Sequence, residues 1–258
     1  MSDPVTIKSP SEAEAMRVAC RMAAKTLREA GKLVKPGIST DDINDFVHAY
    51  TLENNAVPAP LNYRGFPKSV CTSINEVVCH GIPSRKEILK DGDIINIDVT
   101  SIVDGFFGDT SRTFFVGTPK PEAKRLVEVT EECLRRGIAV VHAGARIRDI
   151  GGAIQDYAES FGYGVVRDYV GHGIGRIFHE EPQVPHYRSK GANPRLRAGM
   201  TFTIEPMINL GAFETILDPA DGWTVRTADN KLSAQFEHTI LVLESGCEVL
   251  TDWKYIQD

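Results

Sequence analysis

Nowhere in the 258 residues does an apolar run approach the roughly 18 consecutive positions that a bilayer-spanning helix needs. A membrane partner is therefore not expected. The opening stretch MSDPVTIKSP lacks a basic segment followed by an apolar one, so a secretory leader is not expected either. Cysteine is scarce: Cys20, Cys71, Cys79, Cys133 and Cys247 are odd in number and show no CxxC spacing. A disulfide framework and a zinc ribbon are both disfavoured, and a cytoplasmic location fits best. Positive charge is not in excess, with a formal net charge of -6 and a pI near 5.7. Nothing in that balance supplies the counterion release that drives binding to nucleic acid, so no direct nucleic-acid partner is expected. Several catalytic signatures are missing too: there is no HExxH, no GxSxG and no GxxxxGK[ST]. In GHGIGR, Arg176 stands where a dinucleotide fingerprint needs its third glycine, which disfavours phosphate gripping.

What is present belongs to a globular domain. The chain is 42% hydrophobic and 25% charged, long enough to bury one large core or two small ones. Ser11 with Glu14 reads as a capping box ahead of Ala15, Val18, Ala19 and Met22, with Gly31 at the helix end. Thr40 reads as the cap of a second helix carrying Ile43, Phe46, Val47 and Tyr50. A third is predicted from near Pro121 through Leu126, Val127, Cys133, Leu134, Ile138 and Val141, and a fourth around Ile150, Ala153, Ile154, Tyr157 and Phe161. Between them SVCTSI, EVVCH, DIINIDVT, RTFFVG, MTFTIEP and HTILVLE read as strands.

An internal repeat orders these pieces. KPGISTDDI aligns with HAGARIRDI, Gly37 over Gly144 and Ile43 over Ile150; LKDGDIINID aligns with LRAGMTFTIE, Gly92 over Gly199 and Asp98 over Glu205. Both segments share one offset, the 107 residues from Gly37 to Gly144. The expected architecture is α+β: one domain over 1–258, made of duplicated pseudo-twofold halves at about 11–119 and 120–250 that meet at a central site.

Carboxylates mark that site. Asp98 and Glu205 end apolar strands, and Asp109 in FFGDTSRTFFV and Glu237 in AQFEHTILVL repeat the pattern. Burying one ionised carboxylate without compensation costs several kcal/mol, so four such groups call for arginine partners, protonation or metal. Arg112 is the one evident basic partner, and only for one of them. With His172 the set offers four carboxylates and an imidazole, a donor group suited to two divalent ions whose charge would balance it.

The motifs NYRGFPKSVCTSINEVVCHGIPS, GDIINIDVT, GFFGDTSRTFFVG, GHGIGRIFHEEPQVPHY, AGMTFTIEPMI and DGWTVRTADNKLSAQFEHTILV together resemble type I methionine aminopeptidases of the short bacterial form, in peptidase family M24. The resemblance runs from about Ser11 to Leu250 and has every motif in order. It implies a "pita-bread" fold, a curved antiparallel sheet covered by helices, and removal of the initiator methionine from nascent proteins whose second residue is small. It implies two divalent ions, from among Co, Mn, Fe, Zn or Ni, held by Asp98, Asp109, His172, Glu205 and Glu237. Asp109 and Glu237 would bridge them, and Glu205 would be the general base. His80 and His179 correspond to catalytic residues that touch substrate without binding metal.

Tyr63, Phe66, Cys71, His80, Phe178, His179 and Trp223 match the methionine pocket, a surface suited to a soft thioether. Pro60 departs from the cysteine common in bacterial members and Phe66 from a common tyrosine, so pocket shape follows from the resemblance less firmly than the metal set does. Asn75, Val77 and Ser233 match a monovalent cation site for one Na or K. Implied partners are the N-termini of nascent polypeptides and the ribosome, the latter without the cysteine-rich zinc extension of eukaryotic relatives; a monomer is expected. Two competing readings are a proline-specific or creatinase-like hydrolase and a non-catalytic binding protein on the same fold. The pocket motif around Tyr63 and Cys71 opposes the first, and the complete ligand set opposes the second. The glycines around His172 are expected to let the backbone pass close beside the metal centre.

Overall fold

The computed structural model describes residues 5–252; Met1 and Ser2, the pair that would suit the chain's own processing, lie outside that range. Four α-helices carry the outer faces: α1 (Pro10–Gly31), α2 (Thr40–Glu53), α3 (Pro121–Ala139) and α4 (Ile147–Glu159). No helix among the described residues is long and apolar enough to cross a membrane.

Two helix starts differ from expectation. The cap of α1 is Ser9, not Ser11: the Ser9 hydroxyl accepts the Glu12 N–H at 3.3 Å, and Glu12 accepts the Ser9 N–H at 2.9 Å. Both Ser-x-x-Glu frames fit a capping box, and Pro10 decides between them, because its fixed φ suits the first helical position. Glu14 pairs instead with Arg17 and Arg21. The inward face is Ala13, Met16, Cys20, Ala23, Leu27 and Ala30, while Val18 is 41% exposed. Likewise α2 is capped by Ser39, reciprocally bonded to Asp42, and Thr40 turns away to accept the Ser84 N–H at 2.8 Å.

The predicted strands form, several with different limits. Ile94–Val103 and Phe106–Phe115 make a long antiparallel hairpin across Asp104-Gly105, whose positive φ values of 49° and 78° are those of a two-residue hairpin turn. Cys71–Ile74 and Val57–Pro58 flank the first of these strands. The second half holds a five-stranded sheet, in the order Cys247–Val249, His238–Val242, Thr201–Ile204, Gly171–Gly173 and Glu180–Val184. Short three-stranded sheets join Ser233–Gln235, Met207–Asn209 and Gly164–Val165, and Thr215–Leu217, Val225–Thr227 and Val77–Cys79.

Each helix pair covers one side of this framework. One core cluster packs Leu27, Ile43 and Val47 against Ile95, Ile97 and Val99; another packs Leu126, Leu134, Ile150 and Ile154 against Phe202, Ile204, Ile208 and Ile240. Local geometry recurs 107 residues on. The Gly37 N–H donates to the Leu89 carbonyl and the Gly144 N–H to that of Leu196, at 2.8 and 2.9 Å, and the β-bridge Ser39 to Ile88 recurs as Arg146 to Arg195. Gly37 and Gly144 have φ of 91° and 92°, a left-handed conformation that a side chain would strain.

Between the halves, the Arg112 to Phe236 bridge brings the first hairpin against the strand that leads to Glu237.

Candidate metal centre and its apolar slot

Strand geometry gathers the acidic residues. In the first hairpin Thr100 faces Asp109 and Asp98 faces Ser111, which puts Asp98 and Asp109 diagonally on one face. The Thr100 hydroxyl donates to Asp109 Oδ1 at 2.7 Å. Glu237 is tied to the same hairpin by its own backbone: its N–H donates to the Ser111 carbonyl at 2.9 Å, and its carbonyl accepts the Thr110 hydroxyl at 2.8 Å. Arg112 does not pair with these acids. Three residues from Asp109 on a strand, it projects from the opposite face, over the Phe236 ring and 3.4 Å from Glu131.

The second half supplies His172 and Glu205, both organised by Thr203. Its hydroxyl donates to Glu205 Oε1 at 2.6 Å and accepts the His172 N–H at 3.0 Å. Gln235 Nε2 lies 3.3 Å from Glu205 Oε2. The Glu205 N–H donates to Nε2 of His186, a fully buried histidine whose Nδ1 has no partner among the described residues and which burial holds neutral, its pKa pushed down to about 3. Thr203, Gln235, Thr100 and His186 are absent from the sequence-derived site. Thr203 had a signal in TFTIE, two residues from Glu205 and hence on the same strand face; His186 had none. The glycines beside His172 make room for neighbouring strands: a Cβ on Gly171 would meet the Thr203 carbonyl oxygen at 2.4 Å, and one on Gly173 that of Glu181 at 2.1 Å.

Donor atoms converge as an ion requires. Ligand atoms of Asp109, His172 and Glu237 lie within 4.8 Å of one another, and His172 Nε2 is 3.6 Å from Asp109 Oδ2 and 3.7 Å from Glu205 Oε1. Those gaps are too long for strong hydrogen bonds, yet they match two donors each about 2 Å from a shared cation. His172 Nδ1 lies 3.1 Å from the Gly173 carbonyl, so that nitrogen carries the proton and Nε2 offers its lone pair. Electrostatics agree. Burial, with repulsion from Asp109, pushes Asp98 and Glu237 well above the usual carboxylate range and Glu205 up to about 7. Burial alone would lower His172, but the nearby carboxylates of Asp109 and Glu205 outweigh it and raise its pKa. Three reluctant acids and an imidazole turned toward them are a donor set that divalent cations relieve.

Beside these groups a cavity of about 320 Å³ is lined by all five, by Pro60, Tyr63, Phe66, Cys71, Cys79, His80, Phe178, His179, Met207 and Trp223, among others. Phe66 is 2% exposed and meets Trp223 edge-on at 5.2 Å between centroids; Phe178 lies 4.9 Å from Tyr63 and 5.3 Å from Phe107. His80 has φ of 55° and directs its ring edge-on to Tyr169 and Trp223. Burial pushes its pKa down to about 4. His179 is pushed down to about 3 by burial and by the nearby His172, and its Nδ1 lies 2.9 Å from the Tyr63 hydroxyl. All residues expected in the pocket line this one cavity. A larger cavity of about 450 Å³, between α1 and α3, shares only Glu237 with the acidic group and contains neither His80 nor His179. Asn75, Val77 and Ser233 lie together elsewhere: the Asn75 carbonyl accepts the Ser233 N–H at 2.8 Å, and Asn75 has φ of 52°.

Comparison with known proteins gives a consistent result. Residues 14–244 match metallopeptidase family M24. Methionine aminopeptidase A of Synechocystis sp. is 59% identical over 97% of this chain and 99% of its own length. The crystal structure of the methionine aminopeptidase from Rickettsia prowazekii superposes with a TM-score of 0.94 at 53% identity, covering 96% of this chain and 100% of that one. The prolidase from Pyrococcus furiosus, 23% identical with a TM-score of 0.76, shares the fold over 95% of this chain and 65% of its own.

Proposed function

The chain belongs to metallopeptidase family M24, and from that premise we infer that it is a metal-dependent aminopeptidase that removes N-terminal methionine. The observation that carries this is one cavity in which four carboxylates and an imidazole form one end and an aromatic slot the other. A slot of aromatic rings and two thiols favours an unbranched thioether. A proline-specific activity is not favoured, because the likeness to prolidase extends to the fold alone.

In this reading Asp98, Asp109, His172, Glu205 and Glu237 would hold two divalent ions. When bound, the ions supply Lewis-acid polarisation of the peptide carbonyl and acidification of water. Glu205 takes a proton from the attacking water and returns it to the leaving amine. His179 is neutral at working pH. With the Tyr63 hydroxyl donating to Nδ1, its Nε2–H is left to donate to the developing oxyanion. His80, also neutral and held in left-handed backbone, contacts the substrate beside the scissile bond. A single Na or K at the carbonyls of Asn75, Val77 and Ser233 belongs to the same reading. So do a monomeric catalytic domain of two related halves that join near Pro119, a cytoplasmic site of action, and nascent chains with a small second residue as substrate.

The test is reconstitution. Metal-stripped protein given Mn²⁺, Co²⁺ or Fe²⁺ is expected to release methionine from Met-Gly-Xaa peptides and not from Met-Lys-Xaa. Failure with every metal, by protein shown to be folded, would refute the enzyme assignment.

A further inference from the structure

Most of the cavity wall is closed to solvent, with Phe66, Cys71 and Phe178 each no more than 8% exposed. Two of its lining residues, Arg64 and His179, are exposed. They mark where the slot opens. A polypeptide whose first side chain fills the slot, and whose scissile carbonyl lies by His179, has to leave between these two residues.

Arg64 is presented there by a built turn. Asn62, Arg64 and Gly65 all have positive φ, of 66°, 49° and 91°, and the turn is closed by the Asn62 N–H on the Phe66 carbonyl at 2.8 Å and the Phe66 N–H on the Tyr63 carbonyl at 2.9 Å. Left-handed backbone at a residue other than glycine is costly and tends to persist where it serves a site. The guanidinium lies over the Tyr63 ring, 5.4 Å from its centroid. Among the described residues no carboxylate lies within ion-pair distance of it, whereas Arg85 meets Asp41, Asp42 and Asp45, and Arg188 meets Asp156. An exposed guanidinium at the rim of the cavity, without a carboxylate partner among the described residues, is a fork for carboxylates. An extended chain advances about 3.3 Å per residue, so a side chain one or two residues beyond the second lies within the arginine's reach.

We propose that Arg64 is a specificity-determining residue that favours substrates with an acidic third or fourth residue over those with a basic one. The proposal rests on the aminopeptidase reading above. It is tested with three C-terminally amidated peptides, Met-Ala-Asp-Asp-Gly, Met-Ala-Lys-Lys-Gly and the neutral Met-Ala-Ser-Ser-Gly, comparing kcat/KM in the full-length, metal-loaded enzyme. The amide removes the terminal carboxylate as a competing anion. The readout is the acidic-to-basic ratio within one preparation, which cancels any difference in active fraction. An exposed charge pair is modest, so the ratio is expected to fall about fivefold from the parent enzyme to Arg64→Gln, to fall further in Arg64→Glu, and to shrink in the parent at high salt. An unchanged ratio in both variants, with the neutral peptide still cleaved, overturns the role of Arg64 and leaves the enzyme reading intact. No cleavage of any of the three removes both.

Discussion

The two ends of the cavity are built by different means. The acidic end stands on paired strands: Asp98 and Asp109 are set by the register of one hairpin, Glu237 by backbone bonds to that hairpin, and His172 and Glu205 by a shared threonine. The slot end stands largely on turns, with Asn62, Arg64 and His80 in left-handed backbone and Trp223 following an exposed Asp-Gly. The two histidines of GHGIGRIFHEEP divide along the same line. The pKa of His172, among carboxylates, is raised; that of His179, seven residues on, is pushed down to about 3 by burial and then by His172 itself. Sheets fix the positions of the acidic groups, and turns carry much of the slot.

The largest effect should come from breaking that division at its two ends. Asp109→Asn removes a charge from the converging donors, and is expected to lose bound metal together with activity. His179→Ala is expected to keep the metal stoichiometry of the parent while kcat falls by about 10² or more, the scale of a lost oxyanion donor. Metal analysis beside steady-state kinetics separates them. Metal loss in His179→Ala would place that histidine with the acidic end and erase the contrast.

How much of this was legible follows the same split. The acidic residues stand out because charge interrupts apolar strands, a local signal, and the 107-residue offset sets Asp98 over Glu205. Supports that arise from tertiary approach were not legible: His186 meets Glu205 across nineteen residues, and Gln235 meets it across thirty. The helix starts expected at Ser11 and Thr40 differ for local reasons: at the first, two Ser-x-x-Glu frames overlap and Pro10 decides; at the second, adjacent Ser39 and Thr40 both offer a hydroxyl and the reciprocal bond with Asp42 decides. Two- and three-residue strands such as Gly164–Val165 and Val225–Thr227 carry too few positions for any alternation to register. Asp104-Gly105 was a readable hairpin signal, and it explains why the strand around RTFFVG begins as early as Phe106.

A smaller effect sharpens the electrostatic side. The Glu205 carboxyl is raised to about 7, so below that pH a proton occupies the group a cation needs. The sign follows: apparent metal affinity falls as pH drops, by about tenfold between pH 8 and pH 6 from this group alone. The raised pKa values of Asp98 and Glu237 act in the same direction. Calorimetric titration with Mn²⁺ in two buffers of different ionisation enthalpy measures the protons released, expected to be at least one per protein at pH 7. Affinity independent of pH over that range would show that the acids are already charged in the metal-free protein.

The smallest effect falls where the two ends touch, at Tyr63. Its hydroxyl lies 2.9 Å from His179 Nδ1, while its ring stays against Phe178 as part of the slot. Tyr63→Phe keeps the ring and removes the hydroxyl, so binding of the methionine side chain should change little. What is lost is the bias toward the tautomer with a proton on Nε2, the one that can donate to the oxyanion. A neutral hydrogen bond at this exposed site contributes about 0.5–1 kcal/mol, which corresponds to a fall in kcat of about two- to fivefold with KM nearly unchanged. If KM rose and kcat held, the hydroxyl would be contacting substrate directly, and Tyr63 would belong wholly to the slot instead of linking it to the chemistry.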